Sequence, residues 1–307
     1  MQVALQVFWS ILQTFLIFAF GAWAVRLRMI RANNLAGLSR LALDVFFPFL
    51  TFSTITRNFN PTHMQELWLM PLIGFGIMLS SALIGFLFKK HLFHSTPERH
   101  ATLHHICAIN NYVFLPLIVL DSLWGERHIA LLLLMNVGST IGFWTIGILT
   151  FTGFGSLRET VKNIFSINLA AVVIALAFCF LRIPIPHFIA STSEMMGSMA
   201  VPFMLILTGA ALYFSAGNLL KHPLDAAYLS VLRLLVLPAV LIFLLKLFPL
   251  EKEMFEVSIV VALMPAAASS VLIAKRYGGC PDFTGQAIIV TTLLSLITIP
   301  LWLWILL

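Results

Sequence analysis

The stretch Cys107–Ser122, CAINNYVFLPLIVLDS, sets two adjacent primary amides, Asn110 and Asn111, and a helix breaker, Pro116, inside an otherwise apolar run. What surrounds it decides how it is read. Of the 307 residues, 60% are hydrophobic and 10% charged, and mean hydropathy is +1.01. A soluble domain is about one-quarter charged, so this chain carries more apolar surface than a water-facing fold can hide. The apolar runs are continuous and span-length, which indicates membrane helices. A membrane barrel would alternate polarity over segments of roughly 10 residues.

Working outward gives ten candidate spans, near 3–25, 35–56, 67–88, 101–122, 127–151, 164–181, 192–215, 226–248, 254–276 and 283–306. Thirteen of the eighteen Lys and Arg residues fall in the odd-numbered connections or the adjoining helix ends. The positive-inside rule puts that side in the cytoplasm and both termini outside. Charge placement of this kind accounts for the net +6 without a nucleic-acid partner. The opening MQVALQVFWS lacks a basic n-region, so the first apolar run is expected to be a retained span. Cys107, Cys179 and Cys280 are scattered and form neither a disulfide framework nor a CxxC metal motif.

The chain also repeats itself. VFFPFLTF around Pro48 matches MAVPFMLI around Pro202, and the mid-span Pro116 matches Pro265 in VALMPAAASSVLIAK, at offsets of 154 and 149 residues. Two halves of five spans each, 1–153 and 154–307, enter the membrane in opposite directions. The expected fold is therefore an all-α integral membrane domain of ten transmembrane helices. It consists of two inverted five-helix repeats with broken helices 4 and 9 crossing.

A proline inside a membrane helix removes a donor and frees a carbonyl. Since proline is favoured at a helix start, a second half-helix is expected to begin near Pro116 and another near Pro265. Their positive N-terminal ends would face one cavity and suit an anion. Asn110 and Asn111 can donate to a carboxylate, or they can satisfy the broken backbone. Ser269 and Ser270 have the same two uses, and small residues here also permit close helix crossing. Among acids, Asp44 is read as the deepest, with Arg40 one turn earlier. Together they form either a structural ion pair or a coupling site. Arg233 is placed roughly 10 Å from its span end, within reach of snorkelling, and is a weaker substrate candidate. His100 and His104 stand at i, i+4, but no carboxylate or cysteine set completes a metal site. No metal or cofactor is expected.

NNYVFLPLIVLDSLWGERHIALLLLMNVGSTIGFWTIG, PFMLILTGAAL and MPAAASSVLIAKRYGGCPDFTGQAIIVTTLLSLITIPLWL resemble the auxin efflux carrier family, including its bacterial malonate- or malate-permease-like members. The likeness runs through all ten spans and is strongest from residue 255. It implies two inverted repeats, crossing broken helices, an organic-anion substrate, and a site formed by Asn110 or Asn111 with the Pro116 and Pro265 breaks. A homodimer is also plausible from it. Two departures stand out. Tyr112-Val113-Phe114-Leu115 replaces the glycines common in the family, and the large central loop of plant members is absent.

The leading expectation is a secondary transporter in a bacterial inner membrane, carrying a small organic anion by alternating access. The alternatives are a sodium- or proton-coupled symporter of the bile-acid-symporter type and a non-transporting membrane sensor. No HExxH, nucleophile elbow or P-loop points to an enzyme.

Overall fold

The computed structural model describes residues 2–59, 64–152, 167–215, 217 and 221–306. Within them the apolar ranges are helical apart from gaps at 109–113 and 263–269. The elements are α1 Gln2–Arg26, α2 Ala32–Asn58, α3 Met64–Phe88, α4 Pro97–Ala108, α5 Phe114–Leu123 and α6 Glu126–Phe151. They continue with α7 Ile167–Phe180, α8 His187–Phe214, α9 Pro223–Lys246, α10 Lys252–Ala262, α11 Ser270–Tyr277 and α12 Pro281–Leu306. Among the described residues the only β geometry is one isolated bridge. Among the described residues, six helices are long and apolar enough to cross a membrane: α2, α6, α8, α9, α12 and the 68–88 part of α3.

Local chemistry sets the helix limits. Pro97, Pro223 and Pro281 each occupy a first helical position, where the missing N–H has no intrahelical partner to lose. Thr96 caps α4 by accepting from the Arg99 N–H at 3.3 Å. Gly278 ends α11 in the left-handed region at φ 80°, a conformation open to glycine. In α2 and α9 the helix widens to a π turn, Ala42–Phe46 and Leu232–Val236, just before Pro48 and Pro238. A proline ring pushes on the carbonyl four residues earlier. Here those residues are Asp44 and Leu234, and both lie inside the widened turns.

Among the described residues, two helix pairs approach closely through glycines on both partners. In one, α3 lies along α6, with Gly138 against the Pro71 backbone and Gly74 against Met135. In the other, α1 lies along α8, with Gly21 against Ile206 and Gly209 against Phe18. Small residues let membrane helices meet backbone to backbone in this way.

Both expected breaks exist, but only at Pro116 does a helix start at the proline. Pro116 sits in the first turn of α5, where the missing donor is harmless. Pro265 lies instead in the gap between α10 and α11, and α11 begins only at Ser270. The reason is that the Pro265 carbonyl is engaged across the crossing, as described next.

Candidate functional site

The two gaps, 109–113 and 263–269, meet as short antiparallel segments. Asn110 bridges Ala266, and the Asn111 N–H donates to the Pro265 carbonyl at 2.8 Å. That N–H is the i+4 donor that would have continued α4 past Cys107. Each break thus satisfies part of the other, which an isolated broken helix in hydrocarbon could not do. From α12, Thr291 Oγ1 accepts from the Ala266 N–H at 3.3 Å.

The adjacent asparagines divide the work. Asn110 is 1% exposed, and its side-chain amide donates to the Val261 carbonyl, so it clamps α10 to the first break. Asn111 is only half-buried. Its Oδ1 accepts from the Phe114 N–H at 3.3 Å, which caps α5 and leaves the NH2 group as the donor it can offer a ligand.

Arg233 departs most from its sequence reading. It does not snorkel; it is fully buried. The π turn of α9 delivers it to the crossing, where Nε donates to the Met264 carbonyl and Nη1 to the Cys107 carbonyl, both at 2.9 Å. One guanidinium therefore holds the C-terminal ends of both first half-helices, α4 and α10. Depth along a single helix gave no hint of this, because the two carbonyls come from residues 126 and 31 positions away.

Ser270 is fully buried at the start of α11, whereas Ser269 beside it is exposed. The partner of Ser270 is His105 of α4, which sequence reasoning passed over. His105 Nδ1 lies 2.8 Å from the Gly147 carbonyl, which can only accept, so Nδ1 carries the proton. In the neutral ring, Nε2 then accepts from Ser270 Oγ at 3.2 Å. A histidine inside an apolar run was the available signal.

The acids also sort differently. Arg40 and Asp44 do pair, at 3.2 Å, but both are exposed, so this is a local i,i+4 contact. Among the described residues the buried carboxylates are Asp225 and Glu256, each in an early turn of its helix and covered by other segments. Glu256 accepts from His128 Nε2 at 2.9 Å, which ties α10 to α6, and the His128 ring stacks on Trp124. His100 and His104 do not converge: His100 pairs with Ser95 Oγ and His104 with the Ala82 carbonyl.

A cleft of about 520 Å³ opens between α1, α2 and α8 on one wall and α5 and α6 on the other. Thr14, Ser53 and Thr54 give its wall polar groups, and Leu117 and Ile118 reach it from α5, one turn past the break. Its charged residues are Arg57, Asp121, Glu126 and Glu194, with Arg57 2.8 Å from Glu194 and 3.5 Å from Glu126. The asparagines, Pro265 and the two serines of the second break do not line it.

A family model described as membrane transport protein matches residues 6–160 and 156–303. An uncharacterized transporter of Methanocaldococcus jannaschii is 25% identical over 277 residues, covering 88% of this chain and 89% of that protein. A second uncharacterized transporter, from Methanothermobacter thermautotrophicus, is 26% identical over 269 residues, covering 86% of this chain and 87% of that protein.

Proposed function

The chain belongs to the membrane transport protein family, the family of the auxin efflux carriers, and on that premise we propose that it is a secondary transporter of a small organic anion, working by alternating access at the crossed breaks. The proposed frame is ten spans in two inverted repeats, 1–153 and 154–307, with both termini outside an inner membrane. The observation that carries the proposal is the charge arrangement at the crossing. The N-terminal ends of α5 and α11 begin there, and a buried guanidinium stands beside them. Helix N-termini carry about +0.5 of an elementary charge each and bind anions through free N–H groups. Asn111 adds a side-chain donor at the start of α5.

In this proposal the cleft is the approach from the outer face, in a state open to that side. The carboxylate enters past Thr14, Ser53 and Thr54 and reaches Asn111 when the α5–α6 wall moves against the α1–α2–α8 wall. Asn110, Pro116, Pro265 and Ser270 hold the break in shape rather than touch the substrate. Ser269, exposed at the second break, is the second contact. Arg40 and Asp44 take no part.

A second reading draws on the charged lining of the cleft, where Arg57 is paired with Glu194 and Glu126 and Asp121 adds a third carboxylate. A lining with more carboxylates than cations draws cations in alongside the anion. This favours co-transport of a cation or proton with the anion, as in the bile-acid-symporter type.

Proteoliposome uptake of labelled malonate, malate and an aromatic carboxylate tests the class. It is run under an imposed potential, with and without sodium and a pH gradient. Saturable uptake of one anion supports the reading, and the gradient that drives it identifies any coupling ion. Absence of flux for all three from folded protein overturns the substrate class. Asn111→Ala is expected to cut uptake at least tenfold while the protein elutes and melts like wild type. Unchanged uptake at matched incorporation would remove Asn111 from the site.

A further inference from the structure

We infer that His94, His222 and Asp225 form a divalent-metal site of the zinc type, tying the connection before α4 to the start of α9. One ligand atom from each residue lies within 4.8 Å of those of the other two. His94 Nδ1 is 3.4 Å from Asp225 Oδ2, and the two imidazole centroids are 4.1 Å apart. Zinc bound to nitrogen or oxygen at about 2.0–2.1 Å sets neighbouring ligand atoms about 3.3 Å apart in a tetrahedron. Small rotations of the two rings reach that spacing. Two imidazoles and a carboxylate with a fourth position for water make up a common zinc ligand set.

The carboxylate is held as a metal ligand needs to be. Asp225 is fully buried, accepting from Arg99 Nη2 at 2.6 Å and from the Phe93 N–H at 2.7 Å. The His94 N–H sits at longer range from both its oxygens, at 3.3 and 3.4 Å. A carboxylate offers about four lone-pair sites, so the two short bonds orient Asp225 without exhausting it. Outer partners that fix a ligand in this manner are a regular part of metal sites.

The Arg99–Asp225 pair by itself would account for the burial of Asp225. It does not account for two imidazoles, from residues 128 positions apart, meeting over the same carboxylate. A metal ion there would fix the start of α4 against the start of α9. These are the two helices that Arg233 joins at the crossing through the Cys107 carbonyl.

The test uses the full chain, purified in detergent without a histidine tag and stripped with a chelator. It is loaded with zinc, desalted, and its zinc per chain counted by mass spectrometry. Wild type is expected to retain one zinc per chain, and the H94A/H222A double variant none. H100A, in the first turn of α4 just after that connection, should behave as wild type. Because His94 is exposed and His222 half-exposed, the double variant should fold; its gel-filtration profile and helical circular dichroism check this. No retained zinc in wild type, or equal retention in H94A/H222A, overturns the site. Neither result bears on whether the chain carries an anion.

Discussion

Arg233→Met is expected to abolish uptake and to lower the thermal midpoint of the folded protein sharply. The substitution keeps much of the volume and removes the charge with its donors. It strands the Cys107 and Met264 carbonyls, each now bonded at 2.9 Å to the guanidinium. A buried acceptor left without a partner costs about 1–3 kcal/mol, so the two together cost roughly 2–6 kcal/mol. Against this stands the relief of no longer burying a cation, which in an uncompensated site is worth several kcal/mol. At the crossing the C-terminal ends of α4 and α10, about −0.5 of an elementary charge each, are offset by the N-terminal ends of α5 and α11, about +0.5 each. What holds the guanidinium is its pair of 2.9 Å bonds, and stranding both carbonyls should outweigh the relief of losing the charge. Arg233→Lys keeps the charge and loses the fork; it should fall between the two, recovering more stability than uptake. Detergent melting followed by fluorescence and proteoliposome uptake read the two effects separately. An Arg233→Met protein with the wild-type midpoint would show that the guanidinium does not hold the crossing.

Why the burial of this residue at the crossing is not legible in the sequence follows from what a sequence displays. The break at 109–113 was legible because amides and a proline stand out in an apolar run, and backbone breakage is a local property. The Arg40–Asp44 pair was legible for the same reason: i,i+4 neighbours meet on any helix. Arg233, by contrast, was judged by its distance along one helix. Its burial depends on what two other chain segments place opposite it. Asp225 and Glu256 were missed because early turns of a helix look solvent-facing until another segment covers them, here residues 93–99 for Asp225 and the start of α6 for Glu256. Pro265 was placed at a helix start because proline favours that position. The structure spends its carbonyl on Asn111 instead, an interaction 154 residues long-range that no local preference encodes. The apolar runs themselves needed only continuity and length, and among the described residues they are helical outside the two gaps.

Gly138→Ala is expected to be as damaging as the loss of Arg233, although it adds a single methyl group. A Cβ on Gly138 would fall on the Pro71 carbonyl of α3, and the atoms it meets are backbone, unable to rotate away. Overpacking a tight core costs about 1–3 kcal/mol when side chains can yield; here the two helices must separate, so the upper end or beyond is expected. The separation would also open the reciprocal contact at Gly74, whose neighbours are the Met135 carbonyl, the Met135 side chain and Ser139 Oγ. Gly76, two residues along the same helix, has nothing within 4 Å of a built Cβ. Gly76→Ala should therefore be neutral or stabilise by about 0.5–1 kcal/mol, since alanine is the better helix former. The contrast separates close packing from general intolerance of α3. It also bears on mechanism, because α6 contributes to the wall of the cleft facing α1, α2 and α8. If that wall moves as a body in transport, α3 and α6 must travel together, and the glycine contact is what holds them. Melting of the purified variants gives the stability difference. Equal midpoints for Gly138→Ala and Gly76→Ala would mean that α3 and α6 are not seated backbone to backbone, and that the moving wall does not include α3.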